Sequence, residues 1–388
     1  MGPKKKKILF VSHAASHSGA PIVLLGIIKE FVKQSNTPFH ILILRDGPLV
    51  KEFKALGETH IWNKSSDASS TLSGRAYSKL SRTLRQRHIL STVSDSTMLF
   101  FNTIANGVLY NKLSFIKGKR LCYVHELEVA IRTVTTPGTL STILASTDFY
   151  FAVSEAVRQN LINNHGIAPE KITISRASVS EVCRQKGDHT AFIKSFRSTH
   201  NISPDAVLIG VAGTNEWRKG VDLFFPLILI YLDLYPDSDV HFIWKGFRDD
   251  HASAFAHKND ATKYRVGNRA ILLPHGNDSL QNIACFDIHL LLAREDPYPL
   301  VVLEAASFGI PTVSFLDAGG SPEFIGTDSG ICVTYGDLKK MAIAIHELVI
   351  NKDLRIQMGK TAQEKVKRMH DQKNITREII STIGELYD

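Results

Sequence analysis

The sequence predicts an α/β fold in two successive halves, each alternating parallel strands with helices. Three observations carry this. Short continuous apolar runs, beginning with 7–12 (KILFVS), alternate with stretches of helical periodicity, as buried parallel strands and their crossover helices do. Small-residue or polar loops follow the apolar runs. The alternation lapses over 177–204, which is polar and weakly periodic, and restarts at Ala206. A domain boundary is therefore placed near Val179, giving residues 1–178 and 179–371 as two Rossmann-like domains with a cleft between them.

In the first half, strands are expected at 7–12, 39–44, 60–62, 97–101, 120–124, 148–153 and 171–175. The loop 13–21 (HAASHSGAP) precedes a helix over 22–32. With Gly19 alone it is not G-x-G-x-x-G, so a dinucleotide site is not indicated. Its small residues either admit a ligand to the backbone or make a tight turn. Further helices are expected at 49–56, 75–90 and 104–109. Ser65 to Ser73 reads as a mobile loop. The 75–90 helix carries Arg75, Lys79 and Arg82 on one face, which suits a membrane surface or an ordinary solvated face. Ser154 is the N-cap of a helix over 155–164, and Gly166 is its stop. His125-Glu126 follows a strand directly, at the end where ligands sit, so His125 is either functional or a satisfied strand-end histidine.

In the second half, strands are expected at 206–212, 239–244, 270–273, 288–293, 311–315 and 331–333, with Gly246 and Gly276 closing turns. Helices are expected at 221–235, 279–285, 300–308, 337–349 and 354–369. A last helix covers 374–387. The stretch 294–304 (REDPYPLVVLE) reads as the loop and helix start after a strand. A helix start offers free N–H groups and the positive end of a dipole to an anion. Pro297 and Pro299 lack an N–H, so the donors are Tyr298, Leu300 and Val301. Glu304, one turn in, would repel a phosphate and suits sugar hydroxyls instead. The alternative is a buried strand and helix whose acid complements the dipole.

Composition is that of an ordinary globular protein: 388 residues, 44% hydrophobic and 22% charged. Cys122, Cys183, Cys285 and Cys332 show no C-x-x-C spacing and read as reduced cytosolic thiols, with no disulfide or zinc framework. The net charge of +8 favours a polyanionic or phosphate-bearing partner. No apolar run is long enough to span a membrane. Lys4 to Lys7 either touches anionic lipid or is a solvated N-terminus. Basic residues are not interleaved with an aromatic platform, which argues against nucleic acid.

Four places carry a family resemblance: 12–20, Val124-His125-Glu126, 213–220 (GTNEWRKG) and 294–305. Together they resemble the GT-B glycosyltransferases of the large retaining family 4, and the resemblance covers nearly the whole chain. It implies two Rossmann-like domains facing across a cleft. The first would be on the acceptor side, with the C-terminal helix at about 372–388 packed back on it. The second would hold the nucleotide-sugar donor.

Residue by residue, the resemblance makes Glu304 the acid on the nucleotide ribose and Asp296 the acid facing the donor sugar. Arg218 and Lys219 become the cations on the leaving diphosphate. The amides near Leu300 and Val301, with Tyr298, hold phosphate or sugar. Gly19 and Ala20 form the glycine loop near the phosphates, and His125 sits near the anomeric centre. Residues 273–276, His275 among them, line the base pocket. The chain departs from the family pattern in having Asp, one methylene shorter, where Glu is usual at 296, and Thr214 where many members carry arginine.

The implied activity is retaining, metal-independent hexosyl transfer from a nucleotide-diphosphate sugar to a glycan or lipid-linked glycan, in cell-surface polysaccharide synthesis. No cofactor beyond the co-substrate and no metal ligand set is expected. Localisation is cytoplasmic or peripheral on the cytoplasmic membrane face. The competing readings are a transferase with a small soluble acceptor and a catalytically silent nucleotide-sugar-binding scaffold.

Overall fold

A computed structural model describes residues 6–65, 72–178, 189–250, 254–276 and 278–387. The chain divides into two compact units, Met1–Ser178 with Gln372–Asp388, and Val179–Asp371.

The first unit is a seven-stranded parallel sheet in the order β3-β2-β1-β4-β5-β6-β7. Its strands are β1 (Ile8–Ser12), β2 (Phe39–Arg45), β3 (Thr59–Asn63), β4 (Met98–Phe101), β5 (Lys119–Val124), β6 (Phe149–Ala152) and β7 (Ile172–Ile174). Every residue of β1 is buried, as expected of a strand covered on both faces. Phe10 of β1 meets Phe31, Phe39 and Phe100 edge-on at 5.3–5.7 Å, the arrangement the ring quadrupole favours. The helices are α1 (Gly19–Gln34), α2 (Val50–Leu56), α3 (Leu72–Thr92), α4 (Gly107–Lys112), α5 (Glu128–Val134), α6 (Pro137–Ser146) and α7 (Glu155–His165). Ser154 caps α7 through its hydroxyl, and Gly166 ends it at φ 65°.

The second unit is a six-stranded parallel sheet in the order β10-β9-β8-β11-β12-β13. It comprises β8 (Val207–Ala212), β9 (Val240–Phe247), β10 (Ala270–Pro274), β11 (Ile288–Leu291), β12 (Thr312–Phe315) and β13 (Gly330–Val333). Its helices are α8 (Thr190–Thr199), α9 (Val221–Leu234), α10 (Ala254–Lys263), α11 (Ser279–Ile283), α12 (Leu300–Ser307), α13 (Ser321–Ile325), α14 (Leu338–Ile350) and α15 (Lys352–Met369). The core around Phe224, Tyr231, Phe242 and Trp244 lies between the sheet, α9 and α14. The final helix, α16 (Gln372–Tyr387), packs on α1 in the first unit.

Both sheets are Rossmann-like, and in each the strand order reverses once, beside β1 and β4 in the first unit and beside β8 and β11 in the second. The carboxyl ends of those strands are where ligand crevices open.

Several elements differ from the sequence reading. Helix α1 begins at Gly19, so Gly19 and Ala20 form its first turn; Pro21 is tolerated there because first-turn N–H groups have no helical acceptor. Helices α5, α6, α8 and α10 occupy stretches whose threonines, serines and charges obscured their periodicity. Gly246 lies inside β9, at φ 105°, rather than closing a turn. A Cβ there would stand 2.6 Å from the Gly213 carbonyl oxygen, so the residue marks a close backbone approach. The expected loop 65–73 falls mainly on 66–71, and the boundary at Val179 opens on 179–188; both lie outside the described residues, while Leu72 and Ser73 are helical.

Candidate active site

In the second unit the loops after β8 and β11 lie side by side. Gly220 ends a short 3₁₀ turn, Trp217–Lys219, at φ +75°, and a Cβ on it would meet the Leu292 carbonyl oxygen at 2.1 Å. Only glycine fits both the angle and the space. That contact fixes Arg218 and Lys219 against the β11 loop. The Arg294 N–H donates to the Arg218 carbonyl at 2.9 Å, and Arg218 Nη1 donates to the Glu295 carbonyl at 2.8 Å. Arg294 forks onto Asp222 at 2.7 and 2.8 Å and lies over the Trp217 ring at 4.8 Å. Its charge is thus spent on the scaffold, leaving Arg218 and Lys219 as the cations at the loop junction.

Asp296 faces these cations. Its side chain is buried, ion-paired with Lys219, and 3.9 Å from Arg218 through the same oxygen. Its N–H donates to Ala318, and its carbonyl accepts from Gly320 at 3.2 Å, so both backbone polar groups are pinned. One further turn along the chain, α12 opens after Pro299. Its Leu300 and Val301 N–H groups have no acceptor among the described residues. Glu304 is half-buried in α12 and accepts no hydrogen bond from the described residues; burial pushes its carboxyl up to about 7. Tyr298 is buried, and its hydroxyl pairs with His370 Nε2 at 3.1 Å. His275 is exposed and bonds through its N–H to the Phe247 carbonyl. The structure therefore gathers Arg218, Lys219, Asp296, Leu300, Val301 and Glu304 around one switch point, with Tyr298 beneath it and His275 after β10.

Lys245 and His289 escaped sequence reading. Lys245 is almost fully buried, bonded to the Pro274 carbonyl at 2.8 Å and to Asp278 at 2.6 Å. His289, buried in β11, is pushed down to about 3 by burial and then by the nearby Lys219 charge, and is neutral.

In the first unit, Gly19 is exposed and Ala20 half-buried. Asn102, directly after β4, donates to the Ala20 carbonyl at 2.6 Å and meets His125 Nε2 at 3.3 Å. Because the amide nitrogen is spent on Ala20, its oxygen is the acceptor and His125 carries its proton on Nε2. Burial, then the charge of His13, pushes His125 down to about 3; it is a neutral hydrogen-bonding group. The His125 N–H donates to Glu126 at 2.9 Å, and the Thr103 hydroxyl donates to the same carboxyl, yet burial still pushes Glu126 up to about 7. A cavity of about 450 Å³ opens here, lined by His13, Arg45, Asn63 and Glu126 with Ala105, Val108 and others. Asn102 and Glu126 carried the same signal as His125, a polar residue just past the carboxyl end of an apolar strand.

Comparison with known proteins agrees with this architecture. Residues 192–365 match the family model described as Glycosyl transferases group 1. The fold matches over almost the full chain that of HepE of Anabaena, crystallised with UDP and glucose, with a TM-score of 0.80 at 17% identity, covering 98% of this chain and 99% of that one. Sulfoquinovosyl transferase of Arabidopsis thaliana is 25% identical over 233 residues, 57% of this chain and 41% of that protein. D-inositol 3-phosphate glycosyltransferase of Corynebacterium kroppenstedtii is 25% identical over 232 residues, 58% of this chain and 51% of that protein. The chain spans about half the length of these curated relatives, or less. The fold is the GT-B fold of glycosyltransferases, two Rossmann-like parallel-sheet units, and most of the second unit resembles the group 1 glycosyl transferase model. Among the described residues no helix is long and apolar enough to cross a membrane.

Proposed function

We propose that the protein is a retaining glycosyltransferase of family 4, moving a hexosyl group from a nucleotide-diphosphate sugar to a glycan or lipid-linked glycan. The observation that carries this is the pairing of two fixed cations, Arg218 and Lys219, with the open amides of α12 at the switch point of the second unit. Breaking a glycosyl–phosphate bond builds negative charge on the β-phosphate. Cations and amides held in place before the reaction stabilise that charge without reorganising. In this reading they do a metal's work, so none is needed for transfer, and the only co-substrate is the nucleotide sugar. Leu300 and Val301 hold a phosphate or sugar oxygen. Glu304 accepts from the ribose hydroxyls. Lys219 meets the phosphate from its place on one Asp296 oxygen, and the other oxygen of Asp296 accepts from a donor-sugar hydroxyl.

In the first unit, the 450 Å³ cavity has the size and polarity for a sugar-sized acceptor, with Arg45 and Glu126 as orienting groups. His125, neutral and tethered to Asn102, orients a hydroxyl by hydrogen bonding rather than by giving up a proton. A lipid-linked acceptor fits the net charge of +8 and the basic stretch of α3.

The test is binding and turnover with a panel of nucleotide sugars, uridine diphosphate sugars first, since HepE is crystallised with UDP and glucose. Saturable binding that Glu304→Ala weakens, and donor-dependent transfer that survives a chelator, are expected. Binding of no nucleotide would leave the scaffold reading. Anomeric analysis of the product tests retention, and sedimentation with anionic vesicles separates a lipid-linked from a soluble acceptor.

A further inference from the structure

The sheet edge of the first unit carries a second cluster that glycosyl transfer does not use. His40 in β2 and His60 in β3 stand beside Glu58, which immediately precedes β3. The parallel register pairs Leu42 with His60, and the Ile41 N–H donates to the Glu58 carbonyl at 2.9 Å. With side chains alternating along each strand, His40, Glu58 and His60 fall on one face. They come from the amino ends of the strands, opposite the carboxyl ends where the crevice opens.

The atoms converge. His40 Nδ1 lies 3.3 Å from one Glu58 oxygen, and His60 Nε2 lies 3.4 Å from the other. All three ligand atoms lie within 4.8 Å of one another. His40 is 5% exposed, and neither of its ring nitrogens has a hydrogen-bond partner; His60 Nε2 has none either. Buried polar atoms without partners are uncommon and call for an explanation. Two ligand atoms each about 2.0–2.1 Å from a tetrahedral zinc stand about 3.3–3.4 Å apart. Each ring nitrogen stands at about that separation from a Glu58 oxygen, His40 from one and His60 from the other, and neither contact is a hydrogen bond.

We propose that His40, Glu58 and His60 bind one divalent metal ion of the zinc class, with water completing a tetrahedron. Two imidazole nitrogens and one carboxylate oxygen suit zinc or cobalt and are too nitrogen-rich for calcium or magnesium. Glu58 is exposed, which leaves the ion an entry path. Lys7, just before β1, is ion-paired with Asp95 at 2.9 Å, which offsets its repulsion of a cation. The ion clips the edge strand β3 to β2, and its role is structural. Sequence spacing conceals the trio, because Glu58 lies 18 positions after His40.

The experiment is titration of the full chain, stripped by chelator, with Co²⁺ and Zn²⁺. One ion per chain is expected, with the visible absorption of low-coordinate Co²⁺, and zinc raises the melting temperature. Glu58→Gln, a conservative change at an exposed position, lowers affinity by about tenfold or more, and His60→Ala removes the cobalt spectrum. The proposal is overturned if the wild-type chain takes up no metal near neutral pH. It is equally overturned if both variants, folded by circular dichroism, keep wild-type stoichiometry and affinity. Nucleotide binding serves as a separate readout: it is unchanged in Glu58→Gln, so failure here leaves the donor-site reading standing.

Discussion

Replacing Glu304 by Gln tests the proposed donor site through stability as well as binding. Burial lifts this carboxyl from 4.5 to about 7 in the folded chain. Ionising it in place is therefore costly, and each pKa unit corresponds to about 1.36 kcal/mol. The shift sets an upper bound of about 3 kcal/mol, and the solvent-open side of the group reduces this to about 1–2 kcal/mol. The sign follows from proton binding. Between pH 4.5 and 7 the folded chain holds the proton and the unfolded chain does not, so the contribution of Glu304 is full below pH 4.5 and lost as pH rises through 7. Gln keeps the shape and never ionises. Urea unfolding at pH 8 should find Glu304→Gln more stable than wild type by about 1–2 kcal/mol, with the gap closing near pH 5. In the same variant nucleotide affinity should fall about tenfold to a hundredfold, the worth of hydrogen bonds to a charged acceptor. Wild-type affinity should rise with pH through 7, and the variant's should not. A pH-independent stability difference would refute the buried-carboxyl argument, and unchanged affinity would refute the ribose assignment.

Further outcomes follow from the same geometry. Lys219→Ala should cut turnover about 10²–10³-fold, the usual loss for one preorganised charge donor, and should also destabilise the fold by leaving buried Asp296 with Arg218 alone at 3.9 Å; Lys219→Ala with Asp296→Asn should recover the stability, read by thermal melts, but not the turnover. Gly220→Ala forces a Cβ to 2.1 Å from the Leu292 carbonyl at φ +75°, so it should cost more than about 2 kcal/mol and displace the cation loop, measured by unfolding and nucleotide binding. His13, His125 and His289 are held neutral by burial, at about 4, 3 and 3. Their contribution is full above pH 6.5 and lost as pH falls through those values, so acid unfolding should consume extra protons, and His289→Gln should shallow the slope.

Much of this was legible because burial on both sheet faces leaves a plain mark. The apolar runs of β1, β4, β8 and β11 are continuous, and each announces a strand whose carboxyl end is where α/β folds open ligand crevices. Glu304 stands out as the acid inside the apolar helix that follows β11, and Arg218 and Lys219 through the family resemblance of 213–220. What stayed hidden depends on contacts between residues distant in sequence. Gly19 looks like a loop residue, yet the first turn of α1 needs no N–H from Pro21. Helices α5, α6, α8 and α10 owe their formation to packing more than to pattern. Lys245 reads as an ordinary strand-end charge until Asp278 and Pro274 close over it.

Asp296 shows why residue type alone underdetermines a site. As a sequence position it is a shortened acid where a longer one is usual. In the fold its backbone is pinned at both ends, to Ala318 and Gly320, and its carboxylate takes the Lys219 ammonium while lying 3.9 Å from Arg218. A longer side chain on that pinned backbone would carry its carboxylate a methylene past this position. The short acid instead fixes the direction of a flexible lysine. Lysine has about 2 kcal/mol of rotamer entropy to lose on immobilisation, and a partner that has already ordered it reduces what an incoming phosphate must offset. Aspartate at 296 is thus consistent with a site whose cations are set before the donor arrives. Arg294, held by Asp222 and Trp217, supports the same frame from outside.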